Sequence, residues 1–109
     1  MRLMTDELRR TIPPLYATEH DEDPIVRVKF FLPDAGWTWY VTEFGGEDVL
    51  FGLTVGLEVE LGYFSLRELE SLRGPLGLHV ERDLYFELKP LSKVMMAADR
   101  TLKRRRRSR

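Results

Sequence analysis

A chain of 109 residues, 43% hydrophobic and 32% charged, has the length of one domain and the composition of a globular one. It has no cysteine, which excludes disulfides, zinc–thiolate sites and thiol nucleophiles. The net charge of -1 conceals an asymmetry, because Lys103–Arg109 (KRRRRSR) carries six positive charges and leaves the body through Leu102 near -7.

The opening MRLMTDELRRTIPP places charges where a signal peptide needs an apolar run, and no apolar run reaches the length of a membrane span. A cytoplasmic protein is expected. Thr5 is placed to cap a short helix, with Asp6 and Glu7 at its positive end, Arg9 and Arg10 at its negative end, and Pro13-Pro14 to stop it. Residues 17–24 (ATEHDEDP) read as an acidic surface loop, since the cluster Asp21, Glu22, Asp23 lacks the spacing of a cation-binding turn.

Residues 25–31 (IVRVKFF) alternate as a first strand, with Val26, Val28 and Phe30 on one face. Pro33, Asp34 and Gly36 turn the chain into a second strand, 37–44 (WTWYVTEF), and Gly45-Gly46 supplies the positive φ of a hairpin. Val49, Phe51, Leu53 and Val55 alternate along a third strand, and Leu57, Val59, Leu61 and Tyr63 along a fourth, with Gly56 at the turn or bulge between them. Ser65-Leu66-Arg67-Glu68 is a capping box that opens a helix, and Gly74-Pro75 stops it. Leu84, Phe86 and Leu88 suggest a fifth strand, and residues 92–100 a short last helix. The expected fold is α+β, a mainly antiparallel sheet of about five strands with one or two short helices packed on one face. Residues 1–92 form the domain, and 93–109 a short helix and a disordered basic tail.

The order PPLYATE, DPIVRVKFF, WTWYVTEF, GEDVLFGL, ELGYFSLRELES, RGPLGL and ERDLYF resembles the bacterial family catalogued as domain of unknown function 2958, across roughly residues 3 to 92. The resemblance implies a short protein of plasmids and integrative elements, of a kind sometimes encoded beside or fused to antirestriction and DNA-processing proteins. It carries over no catalytic residue. Gly45 stands where the family pattern leads one to expect Asp or Asn, and the arginine-rich tail lies outside that pattern.

No catalytic constellation is visible. His20 and His79 fall in loops without a partner at metal or general-base spacing, Ser65 is a helix cap, and no phosphate-binding glycine loop occurs. No cofactor or metal is expected, and the protein reads as a non-enzyme. The one activity left open is a metal-dependent nuclease built from Glu43, Asp48, Glu81 and Asp83. Alternation sets Trp37, Trp39 and Val41 against Thr38, Tyr40, Thr42 and Phe44, so one of these faces is core and the other carries large side chains outward or beneath a helix. Exposed sheet aromatics can stack bases, but Glu43, Glu47 and Asp48 make this neighbourhood acidic and better suited to a protein partner. Arg82 can pair with an acid or face a phosphate. Trp39, Tyr40, Glu43 and Arg82 are therefore the partner-binding candidates.

Lys103, Arg104, Arg105, Arg106, Arg107 and Arg109 are the nucleic-acid-binding candidates, acting nonspecifically by counterion release. The function expected is that of a non-enzymatic accessory protein of mobile-element DNA metabolism, as a monomer or homodimer, with an unidentified protein partner and no membrane contact. The alternative is an anti-defence protein of antirestriction or anti-CRISPR type, whose acidic body blocks a host nuclease.

Overall fold

Three hairpin-linked alternating runs make the centre of the structure, a computed structural model that describes residues 2–107. In chain order the elements are α1 (Asp6–Thr11), β1 (Ile25–Val26), β2 (Val28–Leu32), β3 (Trp37–Phe44), β4 (Val49–Val55), β5 (Val59–Ser65), α2 (Leu66–Ser71), β6 (Glu81–Arg82), β7 (Lys89–Pro90) and α3 (Leu91–Arg107). The main sheet has five strands in the order β5-β4-β3-β2-β6, every neighbouring pair antiparallel, and β1 pairs with β7 as a separate ribbon. The fold is α+β, as expected.

Helices cover both faces of this sheet, where the sequence placed one or two on a single face. On one face Val28, Phe30, Trp39, Val41 and Leu50 pack with Leu3, Met4 and Ile12 around α1 and with Leu66 and Leu69 of α2. On the other, Leu53 and Val55 pack with Val26 and with Leu91, Val94, Ala98 and Leu102 of α3. Two local irregularities allow this arrangement. The first strand is interrupted at Arg27, whose amide donates to the Val41 carbonyl at 2.8 Å. Val26 thereby joins the α3 side while Val28 and Phe30 stay on the other, although simple alternation groups all three. In β3 the register shifts between Val41 and Glu43, a bulge at Thr42, whose hydroxyl donates to the Phe51 carbonyl. The extra residue returns Phe44 to the Trp39 face and turns Glu43 toward the other.

Caps behave as the sequence suggests, with additions from far along the chain. Thr5 accepts the Leu8 amide, and Ser65 accepts the Glu68 amide. Asp48, from the β3–β4 connection, accepts the Ser65 hydroxyl and the Arg67 amide at 2.8 Å, so the free amides of α2 are shared between two side chains. That connection is longer than a two-residue hairpin, with Gly46 at φ +96 as its left-handed residue. The expected strand through Leu84, Phe86 and Leu88 is absent. Asp83 accepts the Tyr85 amide and the Phe86 amide reaches the Asp83 carbonyl, which curls the chain away from β2 after Arg82.

The largest departure is at the C-terminal end. In place of a short helix and a disordered tail, α3 runs unbroken over 17 residues to Arg107, and its apolar side belongs to the core. The physical reasons are local. Lysine and arginine are good helix formers, and cations are favoured at the negative end of the helix dipole. Burial of Leu102 then holds the last turns against the sheet.

Candidate nucleic-acid interface

The position of α3 is fixed at both ends by residues distant in sequence. At its start, Asp23 accepts the Ser92 amide at 2.9 Å and the Ser92 hydroxyl at 2.6 Å, while the Leu91 amide donates to the Pro24 carbonyl. Hydrogen bonds from the Ser92 hydroxyl and then its amide hold the Asp23 carboxyl below its ordinary range. One of the three loop acids is thus a helix cap supplied in trans. At the other end, Arg105 donates to the Gly36 carbonyl at 3.3 Å, and Arg106 lies 3.4 Å from Glu58.

With Leu91, Val94, Ala98 and Leu102 buried, helical spacing carries Lys93, Ala97, Arg100, Arg104 and Arg107 along the opposite, exposed stripe. Asp99, the acid of this helix, falls outside that stripe. Beside the stripe, where α3 crosses β2 and β3, lies a cleft of about 390 Å³ lined by Lys29, Tyr40, Phe86, Lys89, Lys93 and Asp83 among others. Lys29 Nζ sits 5.9 Å from the centre of the Tyr40 ring and 3.6 Å from Asp83, and Lys89 Nζ lies 5.3 Å from the Phe86 ring centre. The Tyr40 and Phe86 rings are tilted at 52° with centres 6.0 Å apart. Burial, and then the charge of Asp83, raise the Tyr40 hydroxyl above its ordinary value, so Tyr40 enters the cleft as a neutral donor. The lining thus sets three ammonium groups against the carboxylates of Asp83 and Glu87, a small cationic excess beside two aromatic rings.

The residues singled out from sequence do not gather in one place. Trp39 is 5% exposed and packs in the α1/α2 core, with the exposed Trp37 stacked on it at the sheet's margin, so its ring serves packing. Glu43 is 3% exposed and its carboxylate accepts the Tyr16 amide at 2.8 Å, the Thr18 amide at 2.9 Å and the Thr18 hydroxyl. Burial would raise its carboxyl, but these three hydrogen bonds outweigh that and lower it. The bulge at Thr42 sends Glu43 to the face opposite Trp39, where the 16–18 loop covers it, so its carboxylate is taken up by that loop and not offered to a partner. Tyr40 does face a cleft, the lysine one. Arg82 stands opposite Phe30 in the β2–β6 register, on the other face from Tyr40, and no carboxylate pairs with it among the described residues. Lys103 and Arg104 to Arg107 lie in α3 rather than in a disordered tail, and Arg109 falls outside the described residues.

The four acids considered for a nuclease are dispersed. Glu43 holds the 16–18 loop, Asp48 caps α2, Glu81 stands opposite Phe31 in the β2–β6 register, and Asp83 meets Lys29. Among the described residues no three His, Asp or Glu side chains are grouped as a metal ion requires. Lys29, Lys89, Lys93 and Arg100 were not singled out by sequence reasoning. For Lys93 and Arg100 the signal existed: continued at the spacing i, i+7, i+11 and i+14, they align with Arg104 and Arg107.

Among the described residues no helix is long and apolar enough to cross a membrane. A family model, protein of unknown function (DUF2958), matches residues 3–103 and so takes in most of α3. No curated protein and no solved structure matches the chain.

Proposed function

We propose that this chain, which belongs to the DUF2958 family, is a non-enzymatic accessory protein of mobile-element DNA metabolism that holds nucleic acid along the exposed stripe of α3. The observation that carries this reading is the ordered basic stripe Lys93, Arg100, Arg104 and Arg107, anchored to the sheet by the opposite side of the same helix. A preorganised row of cations loses less conformational freedom on binding a phosphate chain than a flexible tail does. The lysine cleft continues the stripe onto the sheet, and its rings offer a stacking surface for an unpaired base beside the bound backbone. Backbone contacts of this kind give affinity without sequence preference.

The mobile-element assignment rests on the family resemblance and on the separation of an acidic body from a basic helix. The same helix weighs against the anti-defence alternative, because a mimic of nucleic acid gains nothing from a basic stripe beside its acidic surface. Fluorescence anisotropy with labelled 20-nucleotide single- and double-stranded DNA tests the reading. The variant R100E/R107E is expected to bind at least tenfold more weakly than the parent at moderate salt, with unchanged circular dichroism. Equal affinity of parent and variant would refute it.

A further inference from the structure

A second cleft lies on the α3 face of the sheet, away from the lysines. α3 covers Tyr40, Leu53, Val55 and Val59, but the Phe51, Leu61 and Tyr63 portion of this face remains open beside the 16–24 loop. The resulting groove holds about 410 Å³. Its floor is the Phe51–Tyr63 pair, edge to face with centres 4.9 Å apart, and Leu61 and Tyr63 are 51% and 57% exposed. Tyr16 flanks them from the loop with φ +70, a left-handed conformation that a bulky residue adopts only under constraint. Buried Glu43 supplies the constraint, since it accepts the amides of Tyr16 and Thr18 and fixes the loop there. The rim carries Glu19, Asp21 and Glu22, all exposed, and among the described residues no lysine or arginine lines the groove. Alongside runs β5, the outer strand of the sheet, which is paired with β4 on one side only.

We infer that this groove docks an extended, lysine- or arginine-bearing segment of a partner protein, laid against the free edge of β5. Charge complementarity selects the occupant. Three rim carboxylates and three aromatic rings form a cage for a cationic side chain, and Leu61 receives an apolar side chain from the same face of the added strand. An edge strand supplies main-chain hydrogen bonds to any extended segment, while the cage restricts which segment it takes. The negative rim repels a phosphate backbone, so this surface is separate from the α3 stripe and stands or falls independently of it.

The test uses the full chain and a fluorescein-labelled octapeptide of alternating arginine and valine, with its glutamate–valine counterpart as control, at near-physiological salt. The basic peptide is expected to bind and to shift backbone amide resonances of β5 and of residues 16–24. Binding should weaken at least tenfold in E19Q/D21N/E22Q and in Y63A, while DNA binding by both variants stays at the parent level. The carboxamide triple alters only exposed positions and remains decisive if Y63A is poorly folded. Absence of binding, equal binding of the glutamate peptide, or shifts confined to other elements would overturn the proposal. So would a sedimenting dimer that E19Q/D21N/E22Q or Y63A dissociates, since the occupant would then be a second copy of the chain.

Discussion

Three carboxylates perform structural work that their acidic sequence neighbourhoods do not advertise. Asp23 caps α3, Asp48 caps α2, and Glu43 ties down the 16–18 loop, and hydrogen bonding lowers all three below the ordinary carboxylate range. A carboxyl whose folded pKa is depressed contributes stability that is complete above its unfolded value, about 4, and is lost as pH falls through the folded value. The melting temperature is therefore expected to fall as pH is lowered from 5 toward 3. In D23N, part of that acid sensitivity should disappear, and hydrogen exchange should show faster exchange in the first turn of α3. Gly52 offers a steric test, since a Cβ there would meet the Tyr40 carbonyl oxygen at 1.8 Å. G52A is expected to cost about 1–3 kcal/mol or more, read from chemical denaturation. These roles were only partly legible in the sequence. Thr5 and Ser65 announce themselves by position next to apolar periodicity, but Asp23 and Ser92 are 69 residues apart and no local pattern joins them. Phe44 was grouped with Tyr40 and Thr42 because alternation assumes an unbroken strand, and a single bulge residue reverses the face of everything after it.

The element that decides the interpretation is α3. Its apolar positions Leu91, Val94, Ala98 and Leu102 recur at helical spacing, so a helix was legible, but the arginines after Lys103 read as a tail because charge runs usually stay solvated. What the sequence does not display is the receiving surface. Leu102 is buried against the sheet, and Arg105 and Arg106 reach the Gly36 carbonyl and Glu58 in the β2–β3 and β4–β5 turns. Leu102→Ala is expected to cost about 2 kcal/mol or more by loss of buried volume. It should also free the last turns, seen as rapid exchange of amides after residue 100, and weaken DNA binding more than the loss of one apolar side chain would suggest. The four long strands of the sheet were legible for the opposite reason, since β2, β3, β4 and β5 follow one another as hairpins whose order in the sheet follows the chain. The sixth and seventh strands are two residues each and carry no periodic signal.

At the scale of the molecule, charge is segregated by architecture. α3 packs on one face of the sheet and leaves a lysine-bearing cleft on the β2–β3 side and an acid-rimmed groove on the β4–β5 side. A net charge of -1 thus conceals surfaces of opposite charge, and only the three-dimensional arrangement separates them. The proposed function requires the ordered stripe of α3 to hold nucleic acid electrostatically. The most direct test is the dependence of affinity for single-stranded DNA on salt, measured for the parent chain and for the double variant K93S/R100S. Four stripe cations predict a slope of log K against log salt of about -3, at roughly 0.7 per neutralised phosphate. The variant retains Arg104 through Arg107 and should lose roughly 1.4 from the magnitude of that slope. A slope that K93S/R100S leaves unchanged would contradict the account, because binding would then belong to the arginine-rich end alone and not to the helix as an ordered surface.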